Sequence, residues 1–185
     1  MADWRALAQR PWFLPLAAGA VWWTIRLSTL GRIPFETGIA VGSLFNFALL
    51  ILVVFFQDLL SPRGLDFLGR LKVNMKPAVL YACLSALSVG ALHHGVTAEA
   101  TALRKLERER FIEQSLSDEA AFLALQEADP QLANLDRGTT RERAMDSLRF
   151  QFDPLWHVTA SLLALLAAAL STTLFVTFLR QVLRA

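Results

Sequence analysis

Apolar side chains fall along this chain in unbroken runs, not in the every-other-residue pattern of half-buried strands. The longest run, Thr37 to Gln57 (TGIAVGSLFNFALLILVVFFQ), holds 21 residues without one charge. Wound as a helix at ~1.5 Å per residue it reaches ~30 Å, the thickness of a bilayer's hydrocarbon core. In lipid every backbone N–H and C=O must be satisfied within the segment or in a closed barrel. A barrel strand alternates, and LLILVVFF does not. The pattern predicts a spanning helix over 37–57. Further apolar runs predict three more, at about 12–30, 77–95 and 154–179. The expected architecture is all-α: a polytopic membrane protein with four transmembrane helices in one bundle.

The polar stretches set the boundaries. Pro11 and Pro15 fit the opening turn of the first run, where a missing N–H costs little. The triplet Ala18-Gly19-Ala20 lies inside that run with Trp22-Trp23 behind it, so the segment reads as a retained span, not a cleaved leader. Arg26 is expected to snorkel to the interface beside the two tryptophans. In LDFLGRLKVNMK, Leu65, Leu68 and Leu71 share a helical face flanked by Arg70, Lys72 and Lys76, which predicts a short amphipathic segment lying on anionic headgroups. Asp153-Pro154 supplies an N-cap and first helical residue for the last span.

Between the third and fourth runs the composition changes. Residues 97–153 carry twelve acidic and eight basic side chains, a net charge of −4, which marks a soluble insertion within the membrane domain. Its helix formers predict helices: Thr97 to Leu116 prolonging the third span, a second capped by Ser117 and stopped by Asp129-Pro130, and a third opened by a capping box of Gly138-Thr139 with Glu142. Met145 and Leu148 share a face of that last helix.

Small residues recur every four positions within the spans. Gly38, Gly42 and Asn46 do so in the second, Ala78, Ala82, Ala86 and Gly90 in the third, and Ala160, Ala164 and Ala168 in the fourth. Such faces let helix backbones approach closely, so these are the expected packing residues. Asn46 is the one strongly polar side chain at mid-depth of its span and should hydrogen-bond to a neighbouring helix. A bulky side chain at Gly42 should displace that same neighbour, whereas Leu50 is expected on the opposite face, toward lipid.

Composition agrees with a membrane chain: 55% hydrophobic residues, 18% charged, mean hydropathy +0.43. A net charge of +2 gives no reason to expect nucleic acid as a partner. The single cysteine, Cys83, excludes an intrachain disulfide and reads as a small apolar residue. Lys and Arg near the span ends are distributed eight to two: Arg5, Arg10, residues 63–76, Arg180 and Arg184 on one side, Arg26 and Arg32 on the other. The positive-inside rule then places both termini in the cytoplasm and residues 97–153 outside.

Chemistry is sparse. The chain has no GxSxG, HExxH, Walker, CxxC or glycine-rich dinucleotide motif, and no cofactor is expected. All three histidines, His93, His94 and His157, fall at the outer ends of the third and fourth spans. His94 and His157, with Glu99 or Asp153 nearby, are the candidates for a metal or proton site. The plainer reading is a set of interfacial histidines, since adjacent residues cannot both point to one helical face.

The layout of three spans, a helical extracytoplasmic insertion with a Gly-Thr-Thr-Arg-Glu helix start at Gly138, and a closing span ending in Phe178-Leu179-Arg180 resembles the uncharacterised bacterial family called domain of unknown function 4199. The resemblance implies a bacterial inner-membrane protein and carries no activity or site residues. Tetraspanins share the large loop before the fourth span, but their Cys-Cys-Gly motif and disulfides need more than one cysteine. Three functional expectations remain. The first is a non-enzymatic envelope protein, with the lipid bilayer and membrane proteins or its own copies as partners. The second is a small transporter or channel subunit working as an oligomer. The third is an interfacial enzyme or metal site using His94 and His157.

Overall fold

The computed structural model describes residues 10–62, 64–128 and 135–183, and among these there is helix and no strand. Helix α1 is Phe13–Thr29, α2 Phe35–Leu60 and α3 Phe67–Ala91; α3 runs into a π-helical turn, Leu92–Val96. Helix α4 is Ala98–Ser117, α5 Glu119–Ala128, α6 Arg137–Gln151 and α7 Pro154–Val182. Three helical stretches are long and apolar enough to cross a membrane: Phe35–Leu60, Phe67–Val96 and Pro154–Val182. The 17 residues of α1 make it the shortest of the four apolar helices. Arg5, Arg63, Arg184 and Asp129-Pro130, used above for orientation and for a helix stop, lie outside the described residues.

Backbone contacts divide the chain into two units, residues up to Val89 with those from Val158 onward, and Gly90–His157. In the first unit α1 and α2 are joined by a tight turn in which Gly31 has φ +70°, a conformation that any Cβ would strain. The interior face of α2 runs down Gly38, Gly42, Asn46, Leu50 and Val54 at intervals of four. Leu50 is therefore fully buried, and its expected place toward lipid is corrected: it sits one turn from Asn46 on the same stripe. Ala78, Ala82 and Ala86 are buried along α3, followed by Gly90.

Two boundaries move. The amphipathic segment of 65–76 is not a separate element; from Phe67 it forms the first turns of α3, which passes through Pro77 without ending. Two of its positions trade places, with Leu68 61% exposed and Arg70 buried beside Asn74, because those polar groups find partners on α2, while Lys72 and Lys76 are exposed as expected. In α7 the buried positions are Leu165, Ala169, Thr173 and Thr177, one residue on from the expected stripe. Ala164 is exposed, and Ala160 and Ala168 are half-buried.

The second unit is a set of helices rich in exposed charged side chains. Asp118, not Ser117, caps α5 by accepting from Ala120 N–H at 2.9 Å. Asp136 caps α6, accepting from Thr139 N–H at 2.9 Å, two residues before the expected capping box. A carboxylate accepts amide hydrogens more strongly than the neighbouring hydroxyl, and the cap moves to it. Among the unit's buried positions are Leu92, Thr101, Leu116, Phe122, Thr140 and Leu148, with Met145 half-buried.

Candidate functional site

Buried polar side chains are where a membrane-embedded bundle carries its specificity, and the first unit holds three sets of them. The mid-depth set centres on Asn46, 4% exposed. Tyr81 Oη and Ser85 Oγ, one turn apart on α3, both donate to its Oδ1 at 3.0 Å. The amide thus joins α2 to α3 with two hydrogen bonds on one acceptor.

The second set lies between α1 and α2. Arg26 Nη1 donates to the Gly38 carbonyl, and Trp22 Nε1 donates to the Gly42 carbonyl at 3.0 Å. A Cβ added at Gly42 would lie 2.9 Å from Arg26 Cδ and Nε, and one at Gly38 would lie 3.1 Å from Nη1. Gly38 and Gly42 therefore cradle an arginine side chain. Arg26 is 3% exposed and Trp22 2%, so Arg26 does not snorkel outward as expected but is held inside the bundle beside Trp22. Missing side chains at 38 and 42 bare the carbonyls that a buried guanidinium and indole need as acceptors. Trp23 Nε1 donates to Ser88 Oγ at 3.0 Å. Gly42 thus faces α1 while Asn46 pairs with α3, and the shared neighbour expected for them is two different helices.

The third set is charged, and the sequence reading missed it. Asp58, near the end of α2, accepts from Arg70 Nη1 at 2.8 Å and from Asn74 Nδ2 at 3.2 Å, both on its Oδ1. Arg180 Nε on α7 stands 3.5 Å from its Oδ2. Asp58 and Arg70 are each 4% exposed and Asn74 is 0%. Gln57 and Ser61 are buried beside Asp58 in the chain, Thr173 and Thr177 on α7. Arg70 Nη2, Asn74 Oδ1, Gln57 Oε1 and the hydroxyls of Thr173 and Thr177 have no hydrogen-bond partner among the described residues. The signal in the sequence was Arg70 and Asn74 spaced by four, matched by Thr173 and Thr177, with an acid ending the preceding apolar run.

In the second unit the three histidines converge. The π-helical turn closes with Thr97 N–H on the Leu92 carbonyl at 2.7 Å, five residues back. Widening the turn rotates both His93 and His94 toward His157, with ring centroids 5.6 and 4.9 Å away. The expectation that adjacent histidines cannot share a face holds for regular α-helix, and this turn departs from it. His94 Nε2 and His157 Nδ1 are 2.8 Å apart, so one ring donates to the other. A zinc ion bound by both would need ~3.4 Å between those nitrogens for tetrahedral bonds of ~2.05 Å. The geometry is that of a hydrogen-bonded pair. Among the described residues no group of three or more His, Cys, Asp or Glu is arranged to hold a metal. On the exposed surface the Arg141 guanidinium holds the Glu113 carboxyl below its ordinary range, and the Thr139 N–H does the same for Asp136.

Comparison with protein-family models, with curated proteins and with solved structures returned no match. What the fold defines is a class: an all-helical protein with three membrane-length apolar helices and polar groups turned inward.

Proposed function

We propose that this is a four-span, non-enzymatic integral protein of the cell (inner) membrane, with both termini cytoplasmic, that presents its 97–153 insertion to partners in the envelope. The observation that carries this reading is the use of the mid-depth polar groups. Asn46, Tyr81 and Ser85 hydrogen-bond one another and hold helices together, as structural glue does and the lining of a path does not. Helix α1 serves as the fourth span, its 17 residues standing at the short end of spanning lengths. The insertion supports the display role with an open, charged groove of about 950 Å³ between α4 and α6, lined by Glu109, Glu113, Arg141 and Asp146 among others. The layout resemblance to domain of unknown function 4199 belongs to the same proposal.

A second reading, a transporter or channel subunit acting as an oligomer, is favoured by Asp58, Arg70 and Arg180 gathered at one end of the first unit. Purification in native lipid separates the two. Co-purification of an envelope protein that Arg141→Glu abolishes supports display, and a homo-oligomer with a water-accessible axis supports transport. For orientation, a Cys83→Ser protein carrying Thr139→Cys is expected to react with an impermeant maleimide applied to intact cells. Reaction only after permeabilisation overturns it.

A further inference from the structure

A cavity of about 270 Å³ lies in the first unit between the start of α3 and the end of α7, lined by Asp66, Phe67, Arg70, Thr177 and Arg180 among others. Three of the lining residues carry a buried donor atom without a hydrogen-bond partner among the described residues. Arg70 is 4% exposed and its Nη2 has no hydrogen-bond partner; Thr177 is 1% exposed and its hydroxyl has none. Arg180 Nε approaches Asp58 Oδ2 at 3.5 Å without forming a hydrogen bond. Buried donors without acceptors are costly, and two guanidinium forks beside a hydroxyl suit a tetrahedral oxyanion.

The charge balance narrows the ligand. Asp58 offsets part of the two arginines, and Asp66, whose Oδ1 accepts from Gly69 N–H at the start of α3, brings a second carboxylate to the rim. With two arginines against two carboxylates the set is neutral, which leaves room for a singly charged phosphodiester held by the guanidinium donors and not for a polyphosphate. Exposed apolar side chains stand next to the lining residues in the chain: Leu68 at 61% and Phe178 at 62%. Exposed Lys72 and Lys76 follow on α3. A charged pocket bordered by lipid-facing side chains is how membrane helices hold a phospholipid headgroup.

We propose that this cavity binds the phosphate of a phosphodiester ligand, with Arg70 Nη2, Thr177 Oγ1 and the Arg180 guanidinium as donors, and that a phospholipid headgroup is its source. The proposal rests on the membrane reading above. The test uses the full chain, purified and delipidated in detergent, with thermal unfolding and native mass spectrometry as readouts. The probes are phosphatidylglycerol, phosphatidylethanolamine, diacylglycerol and inorganic phosphate. A phospholipid should raise the melting temperature by several degrees and remain bound at one per chain, and diacylglycerol should do neither. Arg180→Gln and Thr177→Val should each weaken retention roughly tenfold or more, the loss of one charge-assisted or buried hydrogen bond. Thr177→Val replaces a partnerless hydroxyl by a methyl group, so its fold should survive even where Arg180→Gln does not. A shift given equally by inorganic phosphate, and lost in both variants, keeps the phosphate site and overturns the lipid source. No shift, or one that both variants retain, overturns the site. Carbonate extraction is read separately: a protein washed from membranes that still binds phosphate overturns the membrane reading and leaves the cavity standing.

Discussion

In the first unit Asn46, Asp58, Arg70 and Asn74 are buried while Phe45, Phe47, Phe55 and Phe56 are each at least 40% exposed. In the second, Leu116, Phe122 and Leu148 are buried while Glu113, Arg141 and Arg149 stand in solvent. The first unit is built for surroundings that reward an apolar exterior, whereas the second mixes exposed charges with exposed apolar side chains such as Leu103, Phe111 and Leu123. The consequence is energetic. An exposed ion pair such as Arg141 with Glu113 exchanges one good solvent for a partner of similar worth. The Asp58–Arg70 pair has no water to fall back on, so removing one member strands the other.

The largest expected effect tests that asymmetry directly. Asp58→Ala should destabilise the protein by ~3–5 kcal/mol, since Arg70 is left charged and buried. Adding Arg70→Met should recover much of the loss, measured by unfolding in mixed micelles. If Asp58→Ala is as stable as the parent, the pair is not buried in the membrane-embedded protein and the contrast between the units collapses.

An intermediate effect is expected at mid-depth. Asn46→Leu removes the acceptor shared by Tyr81 and Ser85 and should cost ~1–2 kcal/mol, in the range of interhelical hydrogen bonds in lipid. Gly42→Leu should also destabilise, by displacing Arg26 from its cradle. Because Gly42 acts on α1 and Asn46 on α3, the double variant should lose close to the sum of the two single losses. A marked shortfall from additivity would mean that one helix serves both residues.

The smallest effects belong to the second unit. Glu113→Gln should leave thermal stability unchanged within error. Its pH response sharpens the comparison, because Glu113 and Asp136 have carboxyl groups held below their ordinary range. A depressed pKa in the folded state stabilises above the unfolded value and loses that contribution as pH falls through the folded one. Helicity of the insertion should thus persist at neutral pH and decline only below about pH 4, where free carboxylates begin to protonate. Loss of helicity that is already complete at neutral pH would overturn this expectation.

Asn46 was legible as a polar group needing a neighbour because an unpaired amide is costly at that depth whatever the fold. Its partners were not legible, since Tyr81 and Ser85 lie 35 and 39 residues away and look like any other residues of an apolar run. Arg70 was read on the wrong side of its helix for the same reason. Amphipathic periodicity assigns charge to the outside unless a buried partner such as Asp58 is known. The glycine spacing was visible in the sequence, but its use as a cradle for Arg26 depended on a second helix. The convergence of the histidines depended on a π-helical turn that regular periodicity does not anticipate.

By itself the sequence determined the all-helical class and the membrane-length apolar helices. Twenty-one uncharged residues in a row oblige the backbone to satisfy its own hydrogen bonds, and that is a local constraint. Tertiary structure alone decided which polar side chains turn inward and which partners they meet. Those choices depend on contacts between segments distant in sequence, and burial cost is known only once the neighbours are in place.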